Sequence, residues 1–232
     1  FFRHLNSVVL GRNRGSVMIA EESTAWPKVT GDPEDDGLGF SLKWNMGWMH
    51  DFTEYMKLDP LFRKNAHYMM TFSMEYAYSE NYILVLSHDE VVHLKCSMIN
   101  KMPGLGFDKF ANLKAGYAFM IGHPGKKLLF MGQDFAQLRE WSEERELDWY
   151  LLAEQPHQQM QNWVQDLLHL YRKNKALYEL DTDEKGFDWI NKDDIFRSIF
   201  SFVRHSKDGK KNLLFVCNFT PMERPDYRVG VP

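Results

Sequence analysis

Four short and almost wholly apolar runs, three long helix-patterned segments and an abrupt change of texture after Tyr178 predict an α/β fold with a parallel sheet, followed by a separate antiparallel β module. Strands covered on both faces read as brief continuous apolar runs rather than as alternating patterns. Strands that alternate with helices build βα units.

In chain order the first run is "VMIA" (Val17 to Ala20) and the second "FSLKW" (Phe40 to Trp44). A helical pattern then extends roughly from Met49 to Tyr78, ahead of the strand "YILVL" (Tyr82 to Leu86). The segment from Asp108 to Gly122 reads as the next helix, and "KLLFM" (Lys127 to Met131) as the fourth strand. From His157 to Tyr178, Trp163, Leu167, Leu170 and Tyr171 recur at helical spacing, which predicts an amphipathic helix. Beyond it "IFRSIFSFVRH" and "NLLFVCNF" are rich in aromatic and branched residues, and "SKDGKKN" supplies a glycine turn between them, so the pair reads as a hairpin. The expected division is residues 1–180 for the α/β unit and 181–232 for the start of an all-β unit. A closed (β/α)8 barrel has eight strands and typically ~250 residues. If the α/β unit is built on such a barrel, its four strands are only the second half. One hairpin and a tail cannot bury their own faces either, so the chain is expected to be an internal fragment of a larger protein.

With 44% hydrophobic and 15% aromatic residues in 232, the chain can build a substantial core. Its 28 basic and 32 acidic side chains give a formal charge of -4, and the basic ones are scattered apart from "HSKDGKK". Such a surface asks for neither nucleic acid nor an anionic membrane. No run has the length of a membrane span, and the first residues lack the order of a signal peptide. Cys96 and Cys217 lie far apart in sequence, so two buried thiols in a reducing cytoplasm are expected, not a disulfide or a metal site.

In parallel α/β sheets, chemistry collects beyond the carboxyl ends of the strands. Three of the four predicted ends are polar: Glu21-Glu22, then Ser87-His88-Asp89-Glu90, then Gln133-Asp134. Each could cap a following helix. Together they suit general acid/base work on neutral polyols, with one carboxyl kept protonated by its neighbours. In "HDEVVH", His88 and His93 are five apart and would lie some 140° apart around a helix, so they do not form a zinc pair of the HExxH kind; no metal or cofactor is expected. Ser23, Ser87 and the cysteines lack a nucleophile turn. Trp44 and Trp48 stand at i and i+4 and suit core packing, whereas Trp26 and Trp141 lie in polar loops and are candidates for stacking on sugar rings. The glycines of "DDGLGF" and "MPGLGF" read as loop turns and not as phosphate cradles.

The stretches "IAEESTAWPKVT", "GLGFSLKWNMGWMHDFTEYM", "LSHDEVVHLKCSMINKMPG", "LLFMGQDFAQLREWSEERELDW" and "FVCNFTPMERPDYRVGVP" resemble bacterial glycogen branching enzymes, the 1,4-alpha-glucan branching enzymes of the alpha-amylase clan. The likeness covers nearly the whole chain in the family's order. It implies a retaining transglycosylase on a (β/α)8 TIM barrel followed by a C-terminal β-sandwich. Such an enzyme cuts an α-1,4 bond of glycogen or amylose, holds the cut chain as a covalent glycosyl-enzyme and passes it to a 6-hydroxyl, which needs a nucleophile and an acid/base about 5 Å apart. By this resemblance Glu21 is the acid/base, with Glu22 its structural neighbour. Asp89 matches the carboxylate that favours the distorted ring, and His88 the histidine on the same sugar; both reach one pocket only if the chain turns at Ser87. The family's nucleophilic aspartate, with an arginine two residues before it, has no match in these 232 residues, so the chain alone is expected to be inactive. Uncovered strand edges could lead two copies to associate. Alternatives are another glucan hydrolase or transferase of the clan, such as a trehalohydrolase, or a noncatalytic glucan-binding unit.

Overall fold

The computed structural model describes residues 1–231. A helix not foreseen in the sequence, α1 (Phe2–Arg12), comes first; its pattern of Arg, His, Asn and Gly among apolar residues gives it no clean apolar stripe. It is tied down by Asn6, whose amide donates to the Leu38 carbonyl at 2.8 Å, and by Arg3, which donates to the Gly37 carbonyl at 3.0 Å.

Strands β1 (Ile19–Ala20), β2 (Leu42–Asn45) and β3 (Tyr82–Leu86) follow, and β4 (Lys126–Leu129) completes a four-stranded parallel sheet in the order β1-β2-β3-β4. Register pairs Ala20 with Lys43, Asn45 with Leu84, and Leu86 with Leu129. Between β1 and β2 there is no α-helix, only a loop with one 3-10 turn at Pro33–Asp35. The buried Glu80 anchors that loop by accepting from the amides of Val29 and Thr30, each at 2.7 Å.

The long helix expected from Met49 to Tyr78 is shorter and broken. α2 (Met46–Lys57) begins on an Asn45 cap, whose Oδ1 accepts from the Trp48 amide at 2.9 Å, and ends at the extended Leu58, ahead of Asp59-Pro60. Proline lacks an amide hydrogen and disfavours helix in the residue before it, so the chain resumes only as 3-10 turns at Arg63–Met70 and Phe72–Glu75. The short α3 (Met98–Lys101) and the long α4 (Phe107–Gly122) lie between β3 and β4, and α5 (Gln155–Lys173) follows β4. Trp44 and Trp48 do not share a helix face, since Trp44 is on β2 while Trp48 is on α2, buried and stacked on Phe52 at 4.7 Å.

The second sheet has three antiparallel strands, not two: β5 (Phe187–Asp194), β6 (Ile199–His205) and β7 (Asn212–Asn218), in that order. β6 is buried almost throughout because the helices cover it. Phe200 meets Tyr55 of α2 and Phe119 of α4 edge-on, and Arg204 donates to the Gly122 carbonyl at 2.8 Å. The hairpin that could not bury its own faces does so against α2 and α4. No helix among the described residues is long and apolar enough to cross a membrane.

Candidate active site

The parallel strands deliver Glu21, Asn45, Ser87 to Asp89 and Phe130 to one rim, their carboxyl ends. At β2 the polar group is spent on the α2 cap.

The two glutamates after β1 have opposite surroundings. Glu22 accepts from Lys43 Nζ at 2.8 Å and from the Thr24 amide at 2.7 Å, and also from the Thr24 hydroxyl. Lys43 comes from the middle of β2 and is buried, so its ammonium has Glu22 as its charged partner. Partial burial pushes the Glu22 carboxyl up, but the bonds from Lys43 and Thr24 outweigh it and hold the group below its ordinary value. Glu21 is exposed, and its side chain makes no hydrogen bond or ion pair among the described residues. One glutamate is a strut; the other is left unengaged.

At the end of β3 the backbone is extended at Ser87 and enters a 3-10 turn over His88–Glu90. That turn cancels the alternation that would have sent neighbours to opposite faces, and His88 Nε2 lies 3.3 Å from Asp89 Oδ1. Trp141 closes the same corner. Its ring centroid is 5.2 Å from that of Phe130 and 6.5 Å from that of His88, and its amide donates to the Val91 carbonyl at 2.9 Å. Trp26, in contrast, is 60% exposed in the loop after β1 and has no aromatic neighbour among the described residues.

Gln133 does not enter the rim. It is buried and donates its side-chain amide to the Leu86 carbonyl at 3.1 Å, bracing β3 against β4. Asp134 lines a cavity of about 420 Å³ with Tyr117, Leu129 and Val164 on the helix side of the sheet. Cys217 is buried, which keeps its thiol pushed far up toward about 12, but Cys96 is exposed, contrary to the expectation. The chain around Cys96 takes left-handed conformations at His93, Leu94 and Cys96, and all three side chains are exposed. Two groups of the rim were not singled out in the sequence, Lys43 and Glu140. Lys43 interrupts an apolar strand, a signal that it needs a buried partner, whereas nothing local marks Glu140.

Residues 189–232 match the family model described as the alpha amylase C-terminal all-beta domain. All of the chain aligns with a 1,4-alpha-glucan branching enzyme of Butyrivibrio fibrisolvens at 66% identity, covering 36% of that protein. It likewise aligns with a branching enzyme of Gloeobacter violaceus at 55%, covering 32%. The chain thus spans about a third of the length of these relatives. Among solved structures, a cyclomaltodextrinase superimposes with a TM-score of 0.62 at 15% identity, over 94% of this chain and 34% of the other. An alpha-amylase of Geobacillus thermoleovorans in complex with acarbose gives 0.61 at 10% identity, over 94% and 45%. These likenesses identify the sheet as part of an alpha-amylase-type barrel followed by the C-terminal β domain.

Proposed function

We propose, from the match of the whole chain to 1,4-alpha-glucan branching enzymes, that it supplies the acid/base and ring-distorting groups of a retaining glucan transfer. Residues 1–180 form the barrel portion and 181–232 the β domain. Glu21 protonates the glycosidic oxygen as the α-1,4 bond breaks and the upstream aspartate of the barrel takes the glycosyl group. The resulting Glu21 carboxylate then removes the proton from an acceptor 6-hydroxyl, whose oxygen displaces the aspartate and forms the α-1,6 branch. Asp89 and His88 hold hydroxyls of the distorted sugar, Trp141 packs beside them, and Trp26 offers a face to a more distant sugar. The substrate is an α-1,4-glucan of the glycogen or amylose kind. Two free thiols and the lack of a disulfide among the described residues favour a reducing compartment, the cytoplasm.

The match of all 232 residues carries this reading. The geometry supports Glu21 over Glu22 as proton donor, because Lys43 and Thr24 already engage Glu22 while Glu21 is free. The test is a chimera in which this chain replaces the matching 232 residues of the Butyrivibrio fibrisolvens enzyme. It should lower the iodine absorbance of amylose without a matching release of reducing ends, and Glu21→Gln should cut the rate by about 10²- to 10⁴-fold. A matching rise in reducing ends would make it a hydrolase; full activity of Glu21→Gln would remove Glu21 from the mechanism.

A further inference from the structure

The segment after Asp89 is held in an unusual way. Val91 and Val92 dip into the core, and the chain re-emerges through His93, Leu94 and Cys96, at φ 56°, 66° and 67°. Three non-glycine residues in the left-handed region within four positions are costly and persist only where their surroundings over-determine them. Leu94 is 95% exposed, so packing of its side chain does not hold it there.

The restraint comes from the loop after β4. Both oxygens of Glu140 are used: Oε2 accepts from the Leu94 amide at 3.0 Å and Oε1 from the Cys96 amide at 2.7 Å. These are charge-assisted bonds to two of the amides that the left-handed turn points outward. Leu138 adds its carbonyl, which accepts from Ser97 Oγ at 2.9 Å and Asn100 Nδ2 at 2.7 Å. Glu140 is braced in turn. Its neighbour Arg139 forks onto the buried Asp148, with Nε 2.7 and 2.9 Å from the two carboxylate oxygens, and the Asp148 amide donates to Gln137 Oε1 at 3.0 Å. On its other side stands Trp141, the ring beside His88.

We infer that Glu140 is a positioning residue: its carboxylate holds residues 93–96 in the left-handed turn and so joins the Asp89 loop and the Trp141 loop into one rigid wall of the acid/base site. That the wall belongs to an acid/base site rests on the branching reading; the clamp itself does not. Without Glu140 the turn relaxes, and the His88-Asp89 pair loses its fixed place beside Trp141.

Two measurements test it. In this chain, hydrogen exchange should show the Leu94 and Cys96 amides exchanging at least tenfold faster in Glu140→Ala, with Leu84 and Val85 of β3 unchanged; equal rates at Leu94 and Cys96 would overturn the clamp. In the chimera, Glu140→Ala should lower kcat tenfold or more with little change in KM. Adding Leu94→Gly should restore most of it, since glycine adopts the left-handed turn without the strain. A merely structural carboxylate gives no such rescue, and a folded double variant with unrestored kcat would overturn the positioning role. A chimera inactive before any substitution would overturn the branching reading instead, and the exchange rates would still decide the clamp.

Discussion

Lys43 shows how one buried cation divides the labour of two adjacent glutamates. Its side chain is buried and Glu22 is a quarter exposed, so their ion pair sits where water screens only one end. Lys43→Met should cost about 1 kcal/mol at pH 7, read as a lower urea midpoint, because it strands Glu22 but fills the space with a similar volume. The sign of the pH effect follows from the lowered Glu22 carboxyl. A depressed folded-state value adds stability above the unfolded value of 4.5 and loses it as pH falls through the folded one. The gap between wild type and Lys43→Met should therefore narrow on acidification below about pH 4.5; a gap that widens there would refute the pairing. The sequence marked Glu21 and Glu22 as a pair at a strand end, but which of them is engaged depends on a side chain from the next strand.

Among the helices, two glycines make opposite predictions. Gly11 lies in α1 with nothing within 4 Å of where a Cβ would stand, so Gly11→Ala should stabilise by about 0.5 kcal/mol through helix propensity. Gly122 ends α4 where a Cβ would come 2.8 Å from the rings of Phe202 and Phe215. Gly122→Ala should destabilise by about 1–3 kcal/mol, since those rings are stacked at 5.0 Å and have little room to move. Thermal melts of the two variants should shift in opposite directions. The same contact explains why the β module could not be understood as an isolated hairpin: its inner face belongs to a core shared with α2 and α4. β5 was missed because "FDWINKDD" is half exposed and charged at its end, as an edge strand can be.

In the molecule taken entire, the joint between the parallel sheet and the β module carries a buried charge cluster. Arg204 donates to Asp181 Oδ1 at 2.9 Å, to the Gly186 carbonyl at 3.0 Å and to the Gly122 carbonyl, and Lys126 reaches the other Asp181 oxygen at 2.9 Å. Burial pushes the Asp181 carboxyl up, but Lys127, Arg204 and Lys126 outweigh it and hold it below its usual value. Arg204→Met should cost about 3 kcal/mol, the lower end for breaking a buried pair, because Lys126 still serves Asp181. Its stabilising effect in the wild type should fade only in acid, below the ordinary carboxylate range, as Asp181 is protonated. At the other extreme, β1 and β4 are the edges of the parallel sheet. Because both are parallel edges, β4 of one copy can pair with β1 of another and the reverse, so the 232-residue chain alone should scatter light as a dimer. A monomer at micromolar concentration would show that the edges are protected within one chain.

The four parallel strands, the polar residues at their ends and the second β module were legible in the amino-acid order, because brief apolar runs, their flanking turns and branched aromatic texture are local properties. The likeness to branching enzymes was legible too, through motifs spread along nearly the whole chain. The turn at Ser87 was expected from the strand alternation. Two outcomes were not legible: that Lys43 is the partner that engages Glu22 while Glu21 stays free, and that Glu140 grips amides more than forty residues away. Those depend on which side chains meet across strands and loops once the chain has folded, and a carboxylate reads alike in a sequence whether its partner is a lysine, an amide or water.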